Sequence, residues 1–185
     1  MFIQEMTEAE CLKTLTRTRM GRLACAHENQ PYVVPIYFVY ENSYLYGFTT
    51  PGQKVEWMRS NPLVCVELDE NVDETQWISI IIFGSFEELP DTRQDEDRWD
   101  HHRPLPRRDQ PRDDGGELRH AHALLQQYAQ WWEPGCASGT HRNPVQPLVP
   151  VFYRIHIDRI GGRRFTPRPG SQEVTYGGKD IGLKP

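Results

Sequence analysis

Apolar and polar residues alternate in short runs through the first half of the chain, and turn-forming residues separate the runs. Arg22 to His27 and Tyr32 to Tyr40 read as strands joined at Glu28-Asn29-Gln30-Pro31. Tyr44 to Thr49 returns as a third strand after Glu41-Asn42-Ser43, and Leu63 to Leu68 makes a fourth. Trp77 to Leu89 is longer, and its Ile78 to Phe83 portion is apolar on both faces, which suits the centre of a barrel or a partner subunit. Val149 to Ile160 reads as the last strand. Pro35 falls inside the second strand, where it has no N–H for a ladder; one side of that strand is therefore an edge, a bulge or the floor of a site.

Helical signals are fewer. Thr7 to Arg17 opens with a capping box, Thr7 and Glu10, and shows Leu12 and Leu15 on one edge. Pro51 to Ser60 follows the third strand, with Thr50 as N-cap, Pro51 at the first helical position and Gln53 where a capping-box partner belongs; Asn61-Pro62 ends it. Glu117 to Trp132 places Leu118, Ala121, Leu125, Tyr128 and Trp132 near one face, before Pro134-Gly135. Between these, residues 91–116 are charged, rich in proline and poor in aliphatics, and read as a mobile, solvated excursion. The expectation is a mainly β fold: an antiparallel, Greek-key-like barrel with peripheral helices over residues 1–160, then a tail over 161–185. Neither GxGxxG nor GxxxxGK[ST] is present, so a dinucleotide fingerprint and a P-loop are excluded.

Charge and composition narrow the functional classes. A net charge of -5 and a pI near 5.8 argue against nucleic acid held by phosphate contacts. No segment reads as a secretory signal, and none approaches the ~20 apolar residues of a membrane helix. Cys11, Cys25, Cys65 and Cys136 are scattered without a C-x-x-C pair, as expected of reduced thiols in a cytoplasm; Cys25 and Cys65 read as small core residues. His101-His102 and His120-x-His122 have the wrong helical spacing for a shared metal, so no metal site is expected. The start of the helix at Pro51 is the one stretch with evident chemistry. Its unpaired N–H groups, the positive end of the helix dipole and Lys54 one residue further in suit a phosphate, although an ordinary capped helix has the same signature.

Taken in order, Gly21 to Ala26, Gln30 to Tyr40, Leu45 to Glu70 and Gln76 to Leu89 resemble the pyridoxamine 5′-phosphate oxidase-like FMN-binding split barrel, nearest to its nitroimidazole-resistance-protein-like branch. The resemblance implies a homodimer with FMN between subunits: Val34, Pro35, Ile36 and Tyr37 along the isoalloxazine, and Phe48, Thr49, Thr50, Gln53 and Lys54 along the ribityl chain and phosphate. Trp77 and Ser79 match positions that approach the cofactor, while Trp77 is equally readable as a core or interface aromatic. The Trp131-Trp132 pair packs a helix or covers the ring edge from the neighbouring subunit. Two departures bear on activity. Phe48 stands where several nitroimidazole-resistance proteins carry histidine, and the tail has only Arg163 and Arg164 of the arginine motif found in true vitamin B6 oxidases. The resemblance thus implies an FMN-dependent oxidoreductase acting on an unidentified small molecule by hydride or electron transfer, with no general acid or base that can be named. The alternatives are a non-catalytic flavin carrier or sensor and a haem-binding relative, the latter lacking a candidate axial ligand.

Overall fold

The computed structural model describes residues 2–71, 76–89, 115–128 and 150–166. Eight strands and three helices occur among them: β1 (Phe2–Met6), α1 (Glu8–Leu15), β2 (Met20–His27), β3 (Gln30–Tyr37), β4 (Val39–Glu41), β5 (Tyr44–Thr49), α2 (Gln53–Ser60), β6 (Leu63–Asn71), β7 (Trp77–Glu88), α3 (Gly116–Gln126) and β8 (Val151–Thr166). All pairings are antiparallel, in the order β3-β2-β6-β7-β8-β5-β4, with β1 alongside the far half of β8. This is the mainly β, antiparallel architecture expected. Among the described residues no helix is long and apolar enough to cross a membrane.

Two tight turns set the register of the first strands. Glu28 and Asn29 adopt φ of 48° and 65°, and Asn42 and Ser43 adopt 49° and 68°, the positive values that two-residue hairpins need to match strand twist. β2 and β3 therefore pair from His27↔Gln30 onward, through Arg22↔Pro35 to Met20↔Tyr37. Phe38 interrupts the expected continuous strand Tyr32 to Tyr40: its N–H donates to Arg19 C=O (2.9 Å), and β4 then pairs with β5 instead of β2.

Alternation decides what is inside. Leu23, Phe38, Val66, Leu68, Ile80, Ile82 and Ile155 turn to one face of the curled sheet and are essentially fully buried, with Leu15 of α1 and Met58 of α2 packed against them. A second apolar cluster, Tyr37, Val39, Tyr46 and Leu89 with Ala121, Leu124 and Leu125, fixes α3 to the other face of β5. The remaining outer face is bare: Met20, Val33, Leu63 and Phe83 are 56, 58, 66 and 43% exposed. Ile78 to Phe83 is thus covered on one side only. Cys25 is buried in the core as expected, but Cys65 sits half-buried on the outer face, because strand alternation sends it opposite to Val64 and Val66.

Three boundaries differ from the sequence expectation. β1 was not anticipated; four of its five residues are exposed, and it is held by main-chain pairing to β8. β8 does not stop at Ile160 but runs to Thr166, so the expected tail begins inside a strand paired on both sides. α2 begins two residues late, with Gly52 as N-cap and no side-chain cap, so the Thr50 cap, the helical Pro51 and the Gln53 capping box are all corrected. By contrast the Thr7–Glu10 capping box of α1 is present in both directions.

Candidate functional site

The open edge of β3 is where the unusual proline acts. Hydrogen-bonded pairs alternate outward from the hairpin, His27–Gln30, Cys25–Tyr32, Leu23–Val34 and Gly21–Ile36, and the Phe38–Arg19 bond continues that series. Pro31, Val33, Pro35 and Tyr37 consequently turn their main-chain groups away from β2. The two prolines remove donors from that edge, which leaves carbonyl groups and the Val33 N–H facing outward. Pro35 is thus in an edge strand, one of the readings its sequence position allowed. Of the residues expected along a ring system, Pro35 presents main chain here, whereas Val34 and Ile36 commit theirs to β2 and Tyr37 is buried. The Ile36 side chain is buried in the core, and Val34 is half-buried on the same side.

β5 supplies the facing wall. Among the described residues β4 pairs with Tyr44 to Tyr46 and no strand pairs with the same edge of Gly47, Phe48 and Thr49, and β3 and β5 contact one another across this split. Phe48 packs against Phe152, ring centroids 5.9 Å apart, toward α3; Thr49 lies on the inner face, and Thr50 is exposed. Tyr37 is fixed by its Oη donating to Tyr128 C=O (2.7 Å).

The start of α2 closes the end of the split. The first main-chain bonds run from the Val55 and Glu56 N–H groups to Gly52 C=O (2.9 and 3.2 Å), so the N–H groups of Gln53 and Lys54 precede them. Gln53 is exposed. Lys54 is half-buried and has no carboxylate partner among the described residues. Burial holds its ammonium below the ordinary lysine value, an effect that the Cys25 sulfur opposes. A cation partly stripped of solvent, with no carboxylate partner among the described residues, is what an incoming phosphate would neutralise. The stretch expected to hold an anion thus presents Lys54 and the first N–H groups of α2, without a Thr50 cap.

Trp77 and Ser79 lie elsewhere. Thr49 pairs with Val151 and Ser79 with Arg163, so the two groups are twelve positions apart on β8, about 40 Å of extended strand. Pro35 and Ile81 are separated by three strand spacings, about 14 Å. Trp77 stacks on Phe165 (4.4 Å, 24°) and, with Ser79, lines an outer-face groove of about 630 Å³. Sequence reading had not anticipated that Arg159 and Arg163 share this groove, because their segment reads as the end of a strand and a tail. Arg164, the next residue, points to the opposite side and donates to Glu10 (3.3 Å).

The histidines acquire partners that sequence did not show. His27 lies 3.2 Å from Ser60 Oγ, His120 2.5 Å from Glu41 and His156 2.7 Å from Asp158. Among the described residues no group of three or more His, Cys, Asp or Glu could hold a metal ion. Residues 91–114 of the expected excursion and Trp131-Trp132 fall outside the described residues.

Comparison with known proteins follows this geometry. The family model for pyridoxamine 5′-phosphate oxidase matches residues 7–128. The uncharacterized protein RA0666 of Rhizobium meliloti (strain 1021) is 33% identical over 163 residues, covering 88% of this chain and 95% of its own length. The crystal structure of an FAD-binding protein of Mesorhizobium loti, mll6688, is 37% identical, with a TM-score of 0.65 over 90% of this chain and all of that one. A nitroimidazole resistance protein of Bacteroides thetaiotaomicron shares the fold at 18% identity, with a TM-score of 0.56 over 89% of this chain and 90% of its own.

Proposed function

The chain belongs to the pyridoxamine 5′-phosphate oxidase family, and from that premise we propose that it is an FMN-binding flavoprotein, an oxidoreductase acting on a small molecule. The observation that carries the reading is Lys54, a half-buried cation without a carboxylate partner among the described residues, at a helix start beside two unpaired strand edges. The residues present fit a flavin phosphate ester. Lys54 and the N–H groups of Gln53 and Lys54 would hold the phosphate, and the edge of β3 at Val33 and Pro35 would offer main-chain groups to the polar rim of the ring. Bound flavin would supply hydride or electron transfer; the protein's share is to anchor, orient and exclude water. Phe48 offers packing but no proton, so the histidine-dependent route that the resemblance associates with nitroimidazole resistance is not assigned to it.

In a homodimer, Trp77 and Ser79 would approach the flavin from the second copy. The bare outer face, with Met20, Val33, Leu63 and Phe83, supports a homodimer that covers it. The cytoplasmic expectation is retained on the three described cysteines, which are free. The test is direct: purified protein is titrated with FMN, its mass in solution is measured, and the loaded protein is mixed with NADH or NADPH and then with acceptors. The reading requires a flavin absorbance spectrum, a dimer and reduction by a donor. Failure to take up flavin overturns it; flavin uptake without reduction by any donor favours a carrier or sensor.

A further inference from the structure

A separate cavity lies at the other end of β5 from the split, where α3 meets β4, β5 and β8. Its volume is about 440 Å³, within the range of small-molecule sites, and Glu41, Tyr44, Tyr46, Glu117, His120 and Arg154 are in its lining. Tyr44 and Thr49 stand at opposite ends of β5, about 16 Å of extended strand apart, so the cavity is distinct from the split and the start of α2.

An anion finds little to hold it there. Arg154 gives Nε and Nη2 to Glu87 and Nη1 to Glu117, and it also bonds the Tyr46 hydroxyl. Its guanidinium covers one face of the Tyr44 ring, 4.5 Å from the centroid. Carboxylates are in excess: Glu41, Glu87 and Glu117 face Arg154 alone when His120 is neutral, and Arg154 with His120 when it is protonated. The balance is negative in both states. Glu41 is half-buried and meets His120 through Oε2 (2.5 Å), while its Oε1 has no partner among the described residues. Burial holds the Tyr46 phenol above its ordinary value, so that ring is a neutral wall, and the His120 ring stands edge-on to it, 5.7 Å between centroids. Among the described residues no group of three His, Cys, Asp or Glu could hold a metal ion, so the negative balance does not mark a metal site.

We propose that this cavity binds a small organic ammonium ion, its charge on Glu41 and its carbon body against Tyr44 and Tyr46. A partly desolvated carboxylate makes a strong charge-assisted contact, and tyrosine rings attract cations and cover apolar carbon. Such binding is independent of whether a flavin occupies the split.

Benzylamine is the probe, with benzyl alcohol and benzoate as its neutral and anionic counterparts, each titrated calorimetrically into the full chain at neutral pH. Benzylamine should bind at one site, benzyl alcohol about tenfold or more weaker and benzoate not at all, the difference expected of one charge-assisted contact. Glu41→Gln keeps an acceptor for His120 and removes the charge, so it should weaken benzylamine about tenfold and leave benzyl alcohol unchanged. Tyr44→Leu removes a ring and should weaken benzylamine about two- to fivefold. Glu41→Gln carries the test even where Tyr44→Leu fails to fold. Benzyl alcohol or benzoate binding as tightly as benzylamine, no saturable benzylamine binding, or an unchanged affinity in folded Glu41→Gln overturns the proposal. Displacement of benzylamine by FMN overturns it too, because the amine would then lie in the split.

Discussion

Replacing Lys54 by methionine removes a charge while keeping a flexible apolar stem in a half-buried position. In the free protein that charge is a burden: desolvation depresses its pKa, and no carboxylate among the described residues offsets it. The variant should therefore fold at least as well as the parent, with a thermal midpoint equal or higher. Phosphate binding reverses the balance. A charge-assisted contact contributes about 1.5–3 kcal/mol, so FMN affinity should fall about 12- to 140-fold. The assay is quenching of flavin fluorescence on titration into parent and variant, with riboflavin as the control because it keeps the ring and lacks the phosphate. Riboflavin should bind both proteins alike. An FMN affinity unchanged in a folded variant, or a riboflavin loss as large as the FMN loss, would refute the assignment of Lys54 to the phosphate.

The same lysine gives a pH signature. Its pKa is below the ordinary value in the folded protein and ordinary in the unfolded chain, so its contribution to stability improves as pH rises through that window. Phosphate favours the charged form, so FMN affinity should decline over the same window, and the decline should disappear in Lys54→Met when titrations are compared between the two. At Gly84, beside the register shift between β7 and β8, an added Cβ would stand 2.2 Å from His156 O; Gly84→Ala should destabilise by about 1–3 kcal/mol or more in urea unfolding. Thr7→Ala removes the reciprocal cap of α1 and should cost about 0.5–2 kcal/mol in the same assay, with flavin affinity unaffected.

Strands whose side chains separate into two faces were legible in sequence, and so were the turns between them. Asn29 and Asn42 take the positive φ that their residue type favours, and the span of β5 matches expectation from Tyr44 to Thr49. What escaped is structure held by main chain alone. β1 is mostly exposed, and the extension of β8 through Gly161-Gly162-Arg163-Arg164 has no apolar alternation; Gly162 is required there because a Cβ would stand 2.8 Å from Cys11 Sγ, a tertiary fact without a local signal. The α2 boundary moved because Pro51 and Gly52 can both be read as helix openers, and only the geometry selects Gly52. At the site, Pro35 and Lys54 could be singled out from residue type and position. Arg159 and Arg163 could not, since the groove they line depends on where β1 and β7 lie.

β8 forms ladders with β5, β7 and β1, so residues 151–166 touch segments that begin at residues 2, 44 and 77. During synthesis, one edge of β5 must wait for more than a hundred further residues, counted from Tyr44 to Val151, and one edge of β7 for more than sixty, counted from Glu88 to Val151. Such long-range closure is slow, and the waiting strand is Ile78 to Phe83, the stickiest in the chain. Cellular yield should then depend on how well that interval is guarded, so chaperone supply and growth temperature become practical levers for producing the protein.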